Sequence, residues 1–183
     1  MSSLDADEGD RIITILGIEP KLEIPVSYMP PGSLWEAALE EDRSTTELDF
    51  PAMVATPDGN LPVQPWMGKA VADFIEVMEG NTLPVFGVEN ERMGVRQVDL
   101  KTGQLVPRKV FGTETKYYIT PEQAVPVEGL SLRELLELKL VANYLGFRDL
   151  DDIASVKIVT ILNGGTYEEQ KVFEEEAKAI LPA

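Results

Sequence analysis

The chain has 183 residues, of which 16 are Lys or Arg and 32 are Asp or Glu, so its formal net charge is −16. Nucleic acids and anionic membrane surfaces attract cations, so this charge disfavours both as partners. The chain contains no Cys and no His. This excludes disulfides, thiolate nucleophiles, Cys- or His-based zinc sites and every catalytic dyad or triad that needs imidazole.

Residues 1–10 are acidic and lack the basic and apolar regions of a signal peptide, so we interpret them as a disordered tail. Asp5, Asp7 and Asp10 have the spacing that begins a calcium-binding loop, but the twelfth position is Leu16 instead of Glu. No apolar run approaches the roughly 20 residues that span a bilayer. We therefore expect a soluble intracellular protein, cytoplasmic or nuclear.

Residues 11–80 mix strand and helix patterns. Runs of β-branched residues and polar–apolar alternation predict strands, and an Asp-Gly pair predicts a tight hairpin turn. Ser or Pro before an apolar periodic run, and Gly after it, predict helices. The predicted strands are 11–16, 21–27 and 46–50, with a hairpin that turns at Asp58-Gly59, and the predicted helices are 34–41 and 65–78.

Residues 81–120 have strand character, which differs from the segments on both sides. Lys101-Thr-Gly-Gln104 has the composition of a turn between two strands. We interpret this segment as a small β-meander inserted as an independent element. Its strand-like runs are 83–86, 95–100, 105–110 and 115–119.

Residues 121–183 form a helical part. Ser131-Leu-Arg-Glu134 is a capping box that begins a helix with apolar residues on nearly all sides, which is typical of a buried helix. Gly146 ends this helix, and Asp149 can cap the next one. Val156–Leu162 is β-branched enough to be a strand by propensity, whereas a helix would stack its apolar residues on one face. Periodicity does not decide between the two.

Residues Glu137–Asp152, with the sequence ELKLVANYLGFRDLDD, resemble the Skp family, the adaptor subunit of Skp–cullin–F-box ubiquitin ligases. The family has a helix that ends in Ala-Asn-Tyr-Leu, then a short turn and a capped helix with the same apolar spacing. The match continues without a gap to Gly164, and Thr166-Tyr-Glu-Glu169 is similar to the Thr-Pro-Glu-Glu start of the family's next helix. The resemblance covers about residues 137–173 and implies a helix over 149–162. Elongin-C-like relatives end before this extension.

The resemblance implies an α+β fold of the BTB/POZ type, with C-terminal Skp-type helices and the 81–120 meander in place of the family's acidic loop. The order of predicted strands and helices before residue 80 agrees with that fold. The implied function is a non-enzymatic adaptor that needs no cofactor and no metal, and that bridges a cullin and an F-box protein. Self-association is left open.

Two sets of residues occupy partner-binding positions by this resemblance. Asn143 and Tyr144 lie where the family faces the cullin; alternatively, Tyr144 packs in the core and Asn143 is solvated at a helix end. For the second set, which faces the F-box, the alternative is that a helix over 166–180 covers the same surface. The F-box-facing positions are Ile153, Val156, Val159, Leu162 and Phe173.

Other functions remain as alternatives. A BTB/POZ scaffold used for self-assembly without ligase function is favoured by the altered 81–120 segment and by the short C-terminus. A carboxylate enzyme has no support beyond the abundance of acidic residues. Asp149, Asp151 and Asp152 could form a metal cluster, but the start of a helix also favours carboxylates electrostatically, and we prefer that explanation.

Overall fold

A computed structural model of the chain describes residues 11–19, 21–57, 59–93, 98–104, 106 and 110–164. It divides the chain into two compact units, one made of Met1–Pro84 with Ile119–Ala183, and the other of Val85–Tyr118. The expected acidic tail, the expected last helix over 166–180 and Phe173 lie outside the described residues. The described part is an α+β structure with small sheets and five helices.

The strands predicted at 11–16, 21–27 and 46–50 form a three-stranded sheet at the start of the first unit, although Val26–Tyr28 is a short 3₁₀ helix and not part of the second strand. Strands β1 (Ile12–Leu16), β2 (Leu22–Pro25) and β3 (Glu47–Asp49) lie in the order β2-β1-β3, with β1 antiparallel to β2 and parallel to β3. Helix α1 (Leu34–Glu41) connects β2 to β3. Ile13 and Ile15 are buried while Ile12 is half exposed, because successive side chains of a strand point to opposite faces.

A hairpin and a helix follow. Strands β4 (Met53–Thr56) and β5 (Gly59–Pro62) pair antiparallel, which confirms the predicted hairpin, although Asp58 of its turn is outside the described residues. Helix α2 (Pro65–Met78) has the predicted bounds. Its C-terminal cap is Glu79, which has a φ of +47°, and Gly80 follows with a φ of +78°. A Cβ on residue 80 would lie 2.0 Å from the Ser27 carbonyl oxygen, so only glycine fits there.

Three further helices lie in the described part of the first unit: α3 (Pro121–Ala124), α4 (Leu132–Leu145) and α5 (Arg148–Gly164). The prediction that Val156–Leu162 is helical is confirmed. Packing against α4 buries Leu150, Ile153 and Ile158, and this burial outweighs the strand propensity of β-branched residues. Helix α5 begins at Arg148, however, so Asp149 lies inside the first turn and is not the cap.

An aromatic cluster joins the early elements of the unit to its C-terminal helices. The Trp35 and Phe147 rings are 5.2 Å apart at a T-shaped angle, and Trp35 and Phe50 are 6.1 Å apart. Phe147 also lies 5.9 Å from Phe74 of α2. The Trp35 indole N–H donates to the Asp49 carbonyl oxygen at 3.3 Å. These contacts place the α4–α5 turn, which contains Phe147, in the core next to α1 and α2.

The described part of the second unit differs in part from the predicted meander. It contains an antiparallel pair of long strands, β6 (Phe86–Met93) and β7 (Val110–Tyr118). Of the expected strand 83–86, only Phe86 lies in a strand. The Leu83 N–H instead donates to the Asp149 carboxylate, and the Leu83 carbonyl oxygen accepts from the Gln123 side chain. The expected 115–119 strand is the end of β7. Within 95–100 the described residues hold a single bridge at Val98, and most of 105–110 lies outside the described residues.

The predicted turn of the second unit is present. The Gly103 N–H donates to the Asp99 carbonyl oxygen at 2.7 Å, and the Asp99 N–H donates to the Gln104 carbonyl oxygen at 2.9 Å. Gly103 has a φ of +68°, a conformation that glycine adopts without strain.

Candidate protein-interaction surface

The start of α4 is fixed by the capping box that the sequence predicted. The Ser131 hydroxyl accepts from the Glu134 N–H at 3.2 Å, and the Glu134 carboxylate accepts from the Ser131 N–H at 2.7 Å. The hydrogen bond from the Ser131 backbone N–H, and then that to its side chain, lower the pKa of Glu134. The anionic form of Glu134 therefore stabilises the start of α4.

The end of α4 presents the two residues expected to face a cullin. Asn143 is exposed, and the Tyr144 side chain is 46% exposed, whereas Ala142 and Leu145 on either side are buried. The structure contradicts the alternative in which Tyr144 packs in the core. Its ring and hydroxyl are available to a partner.

The turn after Tyr144 brings a further apolar residue to the same end of the unit. Gly146 ends α4 with a φ of +76°, and a Cβ there would lie 3.0 Å from the Gly32 carbonyl oxygen, just before α1. Leu34, the first residue of α1, is 51% exposed. Sequence reasoning missed Leu34. The only signal was that it shares a helix face with Ala37 and Ala38, away from the core pair Trp35 and Leu39.

Helix α5 carries the positions expected to face an F-box, and the structure revises that surface. Ile153 is fully buried and Val156 is 8% exposed, so both belong to the chain's own core and are not accessible to a partner. Val159 is 54% exposed and Leu162 is partly exposed. The accessible surface is therefore the C-terminal half of α5, because its N-terminal half packs against α4.

A polar network holds α4 and α5 in register. The Lys139 ammonium lies 2.6 Å from the Asp151 carboxylate and also donates to the Ser155 hydroxyl. Ser155 in turn donates to the Asp151 carbonyl oxygen at 2.8 Å. Lys139 therefore links the two helices through an ion pair and a hydrogen bond.

The three aspartates at the start of α5 have separate surroundings. Asp149 accepts from the Leu83 N–H at 2.5 Å, and Asp151 pairs with Lys139. Partial burial, and then the charges of Asp151 and Asp149, raise the pKa of Asp152. Across the described ranges, no three acidic side chains gather into a group that could hold a metal ion.

Gln123, which the sequence analysis did not single out, holds the base of the 85–118 segment. Its side chain is 5% exposed and donates to the carbonyl oxygens of Leu83 and Pro84, each at 3.0 Å. Its oxygen accepts from the Thr120 N–H at 2.8 Å. The chain therefore leaves and re-enters the first unit at one point. The pairing is between residues 40 positions apart, so no local pattern indicates it.

Two clefts of the first unit differ in their lining. One encloses about 280 Å³, and Glu19 is the one ionisable residue among its lining residues. The other encloses about 490 Å³ and is lined in part by Arg133, Glu134 and Glu137.

In the part of the chain that the structure describes, no helix combines the length and apolarity needed to cross a bilayer. Comparison with known proteins found no matching family model, no similar curated protein and no similar solved structure.

Proposed function

We propose that this chain is a protein–protein adaptor with a BTB/POZ-type fold that, like the Skp proteins it resembles, bridges a cullin-type scaffold and an F-box-type helical protein. The proposal rests on the helix pair α4–α5. The segment resembling Skp proteins is helical over its described length despite its strand propensity, and Asn143 and Tyr144 are exposed at the end of α4.

The arrangement of the N-terminal elements also supports this proposal. The family's fold opens with two strands, a helix, a third strand and further helices, and β1, β2, α1, β3 and α2 follow that order. The aromatic contacts of Phe147 with Trp35 and Phe74 join these elements to the α4–α5 pair. A partner that contacts the turn after α4 would therefore also reach α1.

The cullin-facing part of the proposal is tested with a purified cullin N-terminal domain. Replacing Asn143 and Tyr144 together by Ala should weaken binding about 30-fold, since a buried interface tyrosine typically contributes about 2 kcal/mol. Leu100→Ala is the control, because Leu100 is 97% exposed on the other unit and lies outside β7. Equal binding by both variants would refute the assignment of Asn143 and Tyr144.

The F-box-facing part is tested with an isolated F-box peptide and Val159→Asp. A charge without a counter-ion in a dry contact costs several kcal/mol, so binding should weaken at least about 100-fold. Because Val159 is 54% exposed, the free energy of unfolding should change by no more than about 0.5 kcal/mol. Val125→Asp is the control, since Val125 is 43% exposed outside α4 and α5. Stability lost together with binding would place Val159 in the core.

If neither partner binds the unmodified chain, the BTB/POZ scaffold without ligase function becomes the better account. That alternative needs no exposed partner residues on α4 or α5.

A further inference from the structure

The β6–β7 hairpin lacks the packing that such an element needs. In the described part of the second unit, β6 and β7 pair only with each other, and the side chains of residues 86–89 and 112–118 are all exposed. A two-stranded hairpin is marginally stable in water, and a third strand or a covered apolar face is needed for stability. An added strand would supply the missing pairing.

The two outer edges of the hairpin differ in their ability to accept a strand. Along one face of β6, Glu89 and Glu91 repeat a negative charge, and repeated like charges block edge pairing. The irregularity of the hairpin lies on β7, where the stretch from Val110 to Thr113 faces the shorter stretch from Met93 to Glu91. From Thr113 to Tyr118 the register of β7 runs without a break, and Glu114 and Lys116 there have opposite charges. This part of the outer edge of β7 is therefore the accessible one.

The sequence of β7 is complementary to itself in one antiparallel register. With Thr115 on a two-fold axis, Glu114 of each copy lies opposite Lys116 of the other, so two opposite-charge pairs form across the axis. Shifting the axis to Glu114 or to Lys116 would place like charges opposite each other.

The charge of the second unit also favours a second copy at this edge. Residues 85–118 hold six of the 16 Lys and Arg residues and four of the 32 Asp and Glu residues, a formal charge of +2 that leaves −18 on the rest of the chain. Two copies therefore approach with the least repulsion through this segment.

We propose that two copies of the chain associate through antiparallel pairing of β7 with β7, with Glu114 opposite Lys116 of the second copy. The resulting sheet has the order β6-β7-β7-β6. Phe86, which faces Tyr118 within each hairpin, adds an aromatic pair to one face of that sheet. This proposal does not depend on the adaptor function.

The test is sedimentation equilibrium of the full chain over a range of concentrations. The unmodified chain should show a monomer–dimer equilibrium. Glu114→Lys and Lys116→Glu should each weaken dimerisation about tenfold, because each replaces two attractive cross-strand pairs with two repulsive ones. The helical circular dichroism of both variants should be unchanged, since the helices belong to the other unit.

Within each strand the Lys116 ammonium lies 4.0 Å from the Glu114 carboxylate, and both variants remove this contact. Mixing the two variants shows whether their effect comes from this contact or from the pairing between copies. Neither variant retains that internal contact, but in a mixed dimer every residue at position 114 faces an opposite charge at position 116. An equimolar mixture should therefore dimerise within about threefold of the unmodified chain. A monomeric unmodified chain, single variants that dimerise as well as it does, or a mixture that fails to recover would each overturn the proposal.

Discussion

Gln123→Leu tests whether the base of the 85–118 segment is held by the Gln123 side chain. The change removes three hydrogen bonds of a 5% exposed side chain, two to the Leu83 and Pro84 carbonyl oxygens and one from the Thr120 N–H. A buried polar group left without a partner costs about 1–3 kcal/mol. Pro84 and Thr120 are exposed, so the Pro84 carbonyl and the Thr120 N–H can form hydrogen bonds with water instead. We therefore expect the free energy of unfolding to fall by about 2–3 kcal/mol in total.

The assay is urea unfolding followed by far-ultraviolet circular dichroism. Gln104→Leu is the control, since Gln104 is exposed and its side chain lies on the other unit. Gln123→Glu refines the test, because a carboxylate can accept from Thr120 but cannot donate to the two carbonyl groups. It should be destabilised nearly as much as Gln123→Leu. A loss below about 0.5 kcal/mol for Gln123→Leu would refute the reasoning.

The remaining predictions concern the division into units and the cap of α4. Replacing 85–118 by a short Gly-Ser linker should leave a remainder that unfolds cooperatively, because Gln123 holds both ends of the excised segment together; a noncooperative remainder would show that the segment is part of the core. Glu134→Gln should destabilise the chain by no more than about 1 kcal/mol at pH 6, since the side chain is partly solvated. The folded pKa of Glu134 lies below its ordinary value of 4.5, so its contribution is present above pH 4.5 and is lost as the pH falls through the folded pKa. The urea midpoints of the two proteins should converge as the pH falls below the folded pKa, and a constant difference would contradict the pKa assignment.

Local signals predicted much of the first unit. The Ser33 cap, the Pro65 start and the Ser131 capping box are each formed by residues within four positions of one another, so a sequence pattern carries them. The helical state of Val156–Leu162 depended on the resemblance to Skp proteins, because propensity alone favours a strand.

Long-range contacts explain what was missed. Asp149 was expected to cap α5, but it bonds the Leu83 N–H, 66 positions away. Ile153 and Val156 were expected at a partner surface, and only the packing of α5 against α4 shows that they are core residues. Nor did a local pattern show that Phe86–Met93 is one strand or that the strand expected at 115–119 begins at Val110.

One copy of the proposed adaptor should hold two different proteins at once. Light scattering of an equimolar mixture with a cullin N-terminal domain and an F-box peptide measures the mass of the resulting complex. We expect a species that contains all three components, and its loss with either the Asn143 and Tyr144 double variant or Val159→Asp. Separate binary complexes that compete with each other, or no complex with either partner, would show that the chain does not bridge the two proteins.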